Sequence, residues 1–175
     1  MSLLRFLGLG TPDGAGDGAE LASVRRIIDA LERMDPDGAR RLARFAYVLG
    51  RVAHADSAVG AEETRAMERI LMDRGRLSEA QAALVVQIAK SQNALFGGTD
   101  DYLVTREFAA GATREEKLAL LDCCFAVSAA DRAIGGEEEV ELKQIATQLG
   151  LTQADLVAAR GAYRDYLAVL KRPGA

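Results

Sequence analysis

Tryptophan is absent from this sequence, all aromatics together make up 5% of it, and proline occurs only three times. So few aromatic residues argue against a strand-rich fold, because strands favour aromatic and β-branched side chains. Cysteine occurs twice, at the adjacent positions Cys123 and Cys124. That excludes a disulfide framework. Neighbours on a helix point about 100° apart, and the CxxC spacing of thiol redox or zinc sites is missing. In their apolar segment the pair reads as small buried residues. The one histidine, His54, stands near a helix end and reads as a surface or packing residue rather than a catalytic base or ligand. No apolar run approaches the roughly 20 residues that span a bilayer. Met1 to Gly10 lacks the long apolar core and small-residue cleavage site of a signal peptide, so the expected location is cytoplasmic. There is no excess of positive charge either. The formal net charge is −4, which disfavours phosphate backbones, and nucleic acid with them. Cations and basic partner surfaces are the natural counterparts.

What is present is a helical composition. Ala, Leu, Arg and Glu dominate, and these side chains lose little rotamer freedom in a helix. With 49% hydrophobic and 27% charged residues, the 175-residue chain suits one domain with its own core. Residues 1–19 read as an apolar segment (Leu3, Leu4, Phe6, Leu7, Leu9) and a flexible Gly/Pro/Asp linker. The apolar segment would dock on the body or touch a membrane surface. Residues 20–171 read as one all-α bundle of seven to eight helices.

Apolar residues at three- and four-residue steps place a first helix on Leu21, Val24, Ile27, Ile28 and Leu31, ended by Asp35-Pro36. A second runs from about Asp37 to Ala55. A third covers Ala61 to Arg74 and stops at Gly75. Ser78 caps a fourth, which continues through Leu95 to Gly97-Gly98. Thr99 caps a shorter fifth, holding Tyr102, Leu103 and Phe108. Thr113-Arg114-Glu115-Glu116 is a capping box that opens the sixth. Glu137 to Leu149 is the seventh, closed by Gly150, and Thr152 to Leu170 the last. The basic runs Arg25-Arg26 and Arg40-Arg41-Arg44 read as solvated helix faces, or as a contact for anionic lipid or an acidic partner.

The most informative feature is a self-match at a shift of 75 residues. Val52-Ala53-His54-Ala55-Asp56-Ser57-Ala58-Val59-Gly60-Ala61-Glu62-Glu63 lies over Val127-Ser128-Ala129-Ala130-Asp131-Arg132-Ala133-Ile134-Gly135-Gly136-Glu137-Glu138, with seven of twelve positions identical. Farther on, Ile70 lies over Ile145 and Gly75 over Gly150. The repeat units span about residues 38–96 and 113–170. In each, an apolar helix ends at Ala-Asp, and an apolar loop residue (Val59, Ile134) plugs the core. A glycine (Gly60, Gly135) then stands at the N-cap and two glutamates fill the first turn of the next helix. Two explanations remain open for these carboxylates. Acidic side chains at a helix N-terminus stabilise it by about 0.3–1 kcal/mol each. Alternatively, Asp56 with Glu63, and Asp131 with Glu138, gather oxygens that would raise one another's pKa unless a cation joined them. Oxygen-only ligation favours Ca²⁺ or Mg²⁺. The loop lacks the EF-hand pattern and is too short for its ligand array.

This helix-Ala-Asp, apolar loop residue and Glu-Glu helix start, occurring twice, resembles the TerB-like family, which includes the tellurite-resistance protein TerB and the N-terminal domain of DjlA-type membrane co-chaperones. The resemblance covers about residues 38–170. It implies an all-helical fold with a pseudo-twofold repeat whose paired loops bring acidic residues to a common groove. It also implies a role in chemical stress response or in a membrane-associated assembly. By position, the implied ion ligands are Asp56, Glu63, Asp131 and Glu138, with Glu62, Glu137 and Glu139 as weaker candidates. The sequence departs from the family pattern where Ser57 and Arg132 replace a Gly and where Gly60 and Gly135 replace a capping Ser/Thr. Arg132 could answer Asp131 by an internal salt bridge in place of a cation.

No P-loop, dinucleotide fingerprint or nucleophile elbow is present. A metal-dependent hydrolase would need a base or oxyanion donor beside the carboxylates, and none accompanies them. The sequence therefore reads as a non-enzymatic binding module, possessing a protein partner and lying in the cytoplasm or peripheral to the membrane. The competing reading is an interaction adaptor whose acidic residues only cap helices.

Overall fold

A computed structural model describes residues 18–53, 61–91, 101–131 and 133–170. Among the described residues there are eight α-helices and no strand. They are α1 (Gly18–Glu32), α2 (Pro36–Gly50), α3 (Ala61–Asp73), α4 (Glu79–Lys90), α5 (Asp101–Gly111), α6 (Arg114–Ser128), α7 (Gly136–Gln148) and α8 (Gln153–Ala162). Short 3₁₀ turns follow α6 at Ala129–Asp131 and close the described residues at Arg164–Tyr166 and Ala168–Leu170. The all-α expectation holds. The expected apolar segment before residue 18 and the loop 54–60 lie outside the described residues.

Helix α2 is the hub. It packs on α4 and α5, and also touches α1 and α6. Its Leu42, Phe45, Ala46 and Leu49 are buried at helical spacing. Asp35 and Pro36 do not end α1, which already stops at Glu32. They begin α2 instead. The Asp35 carboxylate accepts the Gly38 N–H at 2.7 Å, and Pro36 sits where its missing N–H leaves nothing unpaired. The α-helix also ends earlier than expected, at Gly50, and residues 51–53 form turns. Phe45 meets Phe108 of α5 edge-on, ring centroids 6.1 Å apart.

Helix α6 is the second central element. Its capping box closes as the sequence indicates: Glu116 N–H donates to Thr113 Oγ1 at 3.2 Å, and Thr113 N–H to Glu116 Oε2 at 2.7 Å. The backbone N–H of Thr113, with the Arg41 guanidinium behind it, holds the Glu116 carboxyl below the usual range. Thr113→Ala should lower stability by about 1 kcal/mol in urea unfolding. A change within error would mean that the cap is made by water as well. Cys123 and Cys124 are buried, as expected, and burial pushes the Cys123 thiol up to about 12 and Cys124 upward too. Neither is a poised nucleophile.

Three local expectations are revised. Gly75 follows α3, but the left-handed residue that turns the chain is Arg76, at φ 55°. Gly75 is required for another reason: a Cβ there would stand 2.7 Å from the Leu71 carbonyl oxygen and 3.3 Å from Cys123 Sγ. The last helix stops at Ala162 rather than running to Leu170. Ile134 draws the chain out of the helix, donating its N–H to the Tyr166 carbonyl at 2.7 Å and accepting from Ala168 at 3.0 Å. Finally, the Arg40-Arg41-Arg44 run lies at the surface but is ion-paired. Arg41 pairs with Glu116 of α6 at 3.1 Å, Arg44 with Glu107 of α5, and Arg40 with Asp37.

Candidate functional site

The second acidic junction runs from the end of α6 to the first turn of α7. The 3₁₀ turn Ala129–Asp131 leads into Ile134, which is fully buried and hydrogen-bonded on both sides to the C-terminal segment. Gly135 takes the N-cap place expected of it, with φ −76° and ψ 171°. It has no side chain to cap with, so Glu138 reaches back and its Oε2 accepts the Gly135 N–H at 2.7 Å. Glu137 projects to solvent beside it. Glu139 turns toward α8, its Oε2 accepting from Arg160 Nη2 at 3.0 Å and Nε at 3.3 Å. Its Oε1 is buried with no partner among the described residues.

In the first junction, Glu62 and Glu63 occupy the first turn of α3, and Glu62 is exposed. Asp56, Val59, Gly60 and His54 lie outside the described residues, as do Arg132 and the side chains of Glu63 and Asp131. Among the described residues, no three His, Cys, Asp or Glu side chains gather as a metal site would require. Helix α3 occupies 61–73 and α7 occupies 136–148, so both bounds obey the 75-residue shift.

An open groove of about 700 Å³ lies between α3, the end of α6 and the C-terminal turns. Ala66 and Ile70 line one side, Ala129 and Ala130 another, and Tyr163 and Tyr166 a third. Ala66 is one helical turn beyond Glu62 and shares its face of α3. Ala130 directly precedes Asp131. The groove runs along the middle and end of α3, and its charged lining residues are Arg69, Asp73 and Arg74. Its wall is braced by Asp122, which takes Arg74 Nη1 at 2.9 Å and the Tyr163 hydroxyl at 2.7 Å. Burial and the adjacent Asp122 push the Tyr163 hydroxyl upward.

The family model described as Tellurite resistance protein TerB matches residues 42–161, more than half of the chain. The chain belongs to the TerB family. No curated protein and no solved structure matches it at a significant level. TerB is not a known enzymatic family. Among the described residues of this TerB-family chain, no helix is long and apolar enough to cross a membrane.

Sequence reasoning missed Arg51. Its guanidinium is buried where α2 ends and donates to Glu141 of α7, Thr105 of α5 and Gln148 of α7, each at 2.7 Å. No local motif marks it. The one available hint is an arginine directly after the apolar end of α2. This ion pair fixes the end of α2, and so the point from which the first acidic loop departs.

Proposed function

We propose that this TerB-family chain is a non-enzymatic binding module that takes a divalent cation, Ca²⁺ or Mg²⁺, through its duplicated acidic loops, and works in a stress response or a membrane-associated assembly. What supports this is the TerB-family match over residues 42–161 together with the doubled Ala-Asp and Glu-Glu pattern of the sequence, at Asp56, Glu62 and Glu63 and again at Asp131, Glu137 and Glu138. The proposed ligands Asp56, Glu63, Asp131, Glu138, Glu62 and Glu137 are all oxygen donors, which suits a hard cation. Glu138 has spent one oxygen on Gly135, so it would ligate through Oε1 alone. Sparse protein ligands leave positions for water, or for a carbonyl or carboxylate of the partner.

The test is a melting series in Ca²⁺ and in Mg²⁺. A cation at 100 times its Kd adds about 2.7 kcal/mol. That raises the Tm of a chain this long by about 5–10 °C. Asp56→Asn with Asp131→Asn should abolish the shift. No shift at millimolar cation would overturn the proposal.

The Glu138 cap favours a second reading, an adaptor whose carboxylates serve only their own helices. That reading expects indifference to cations and undiminished partner capture by the doubly substituted protein.

A further inference from the structure

A second concave site lies at the ends of α2, α3 and α6 remote from the acidic loops. It is a cleft of about 360 Å³ where the first half of α2, the α3–α4 turn and the first turn of α6 meet. Its floor is apolar: Leu42, Phe45, Leu77 and Phe108. Its rim carries two ion pairs, Arg41–Glu116 and Arg76–Glu115. A cleft of this size, apolar within and with a few convergent charges, is the usual form of a small-molecule site.

The two rim pairs are not equivalent. Glu116 is committed, with Oε2 on the Thr113 N–H and Oε1 on Arg41. Arg76 and Glu115 are 74% and 69% exposed and are bonded to each other. An exposed pair of this kind contributes about 0–1 kcal/mol, so it opens readily for a ligand. Arg76 is also the one non-glycine residue with positive φ among the described residues. A left-handed backbone strains an L-residue, and glycine would fill that position without strain. The chain instead places glycine one position earlier and keeps an arginine at the strained one, over the cleft. Strain retained at the mouth of a cavity points to function.

We propose that this cleft binds a small zwitterion with an apolar body, the class to which the apolar amino acids belong. The body rests against Phe45 and Phe108, the carboxylate takes Arg76 and the ammonium takes Glu115. Charge complementarity selects the zwitterion. A simple carboxylate gains Arg76 alone and a simple amine gains Glu115 alone, whereas a zwitterion gains both once their mutual pair has opened. The proposal is independent of the cation reading, because the acidic loops lie at the other end of the helices.

Calorimetry on the full chain with L-phenylalanine and L-leucine tests it, with 3-phenylpropionate, phenethylamine and glycine as comparisons. The two apolar amino acids should bind saturably, and each comparison compound at least about tenfold more weakly. Arg76→Gly should keep or raise the Tm, because it removes the backbone strain, while weakening binding about tenfold or more. Glu115→Gln should weaken binding similarly, and serves as the test if the glycine variant folds poorly. No binding of either amino acid at about 10 mM, far above the range of specific ligands, would overturn the proposal. So would equal binding of 3-phenylpropionate, or binding unchanged in both variants.

Discussion

Replacing Arg51 by alanine should cost this protein about 3–5 kcal/mol, the loss typical of breaking a buried ion pair from one side. The Arg51 side chain is only 4% exposed. Nε donates to Glu141 Oε1, while Nη1 serves both Thr105 Oγ1 and Gln148 Oε1. Alanine leaves Glu141 without its counter-charge and Gln148 without its donor, and removes packing along the arginine stem. Lysine should recover little, since one ammonium lacks the planar fork that reaches two helices at once. Arg51→Met with Glu141→Leu should regain much of the loss, because a packed apolar pair often matches the ion pair it replaces. Urea unfolding measures all four proteins. A loss below about 1 kcal/mol for Arg51→Ala would mean the pair is solvated and not buried.

Arg51 also marks where the sequence stops being legible. Its partners stand 54, 90 and 97 residues away, and nothing near it in the chain announces them. Arg41 and Arg44 belong with it: their spacing suggests a polar stripe, yet their counter-charges come from α6 and α5. Features with local causes were readable. Ser78 with Gln81 and Thr113 with Glu116 carry both legs of their capping boxes within four residues. Gly150 takes the left-handed conformation expected where α7 closes, at φ 72°. The end of α8 fails for a non-local reason. Tyr163 and Leu167 keep helical spacing and both are buried, yet Ile134, about thirty residues earlier, takes the Tyr166 carbonyl and opens the helix. The carboxylates show the same division. Their types and doubling were plain, but whether an oxygen faces a groove or its own backbone is settled by packing. Glu138 turns Oε2 to its own backbone at Gly135.

Ile134→Ala should lower stability by about 2–5 kcal/mol, the range for cutting a buried aliphatic side chain back to alanine. Ile134 is fully buried, and its backbone binds Tyr166 on one side and Ala168 on the other. The deleted atoms leave a cavity beneath the turn that carries Asp131, and the C-terminal segment lies directly across it. If the acidic loops hold a cation, this substitution should weaken the cation-induced rise in Tm although it removes no oxygen ligand. Ile134→Val, which deletes a single methyl and costs about 0.5–1.5 kcal/mol, should leave that rise nearly intact. The pair of variants separates the two readings of the carboxylates. A cation site needs the loop held in one geometry and should respond in the order wild type, Val, Ala. Carboxylates that act only on their own helices predict no cation response in any of the three, with the stability losses unchanged. A full response retained in Ile134→Ala, despite a loss near 3 kcal/mol, would show that the plug stabilises the fold without positioning the loop.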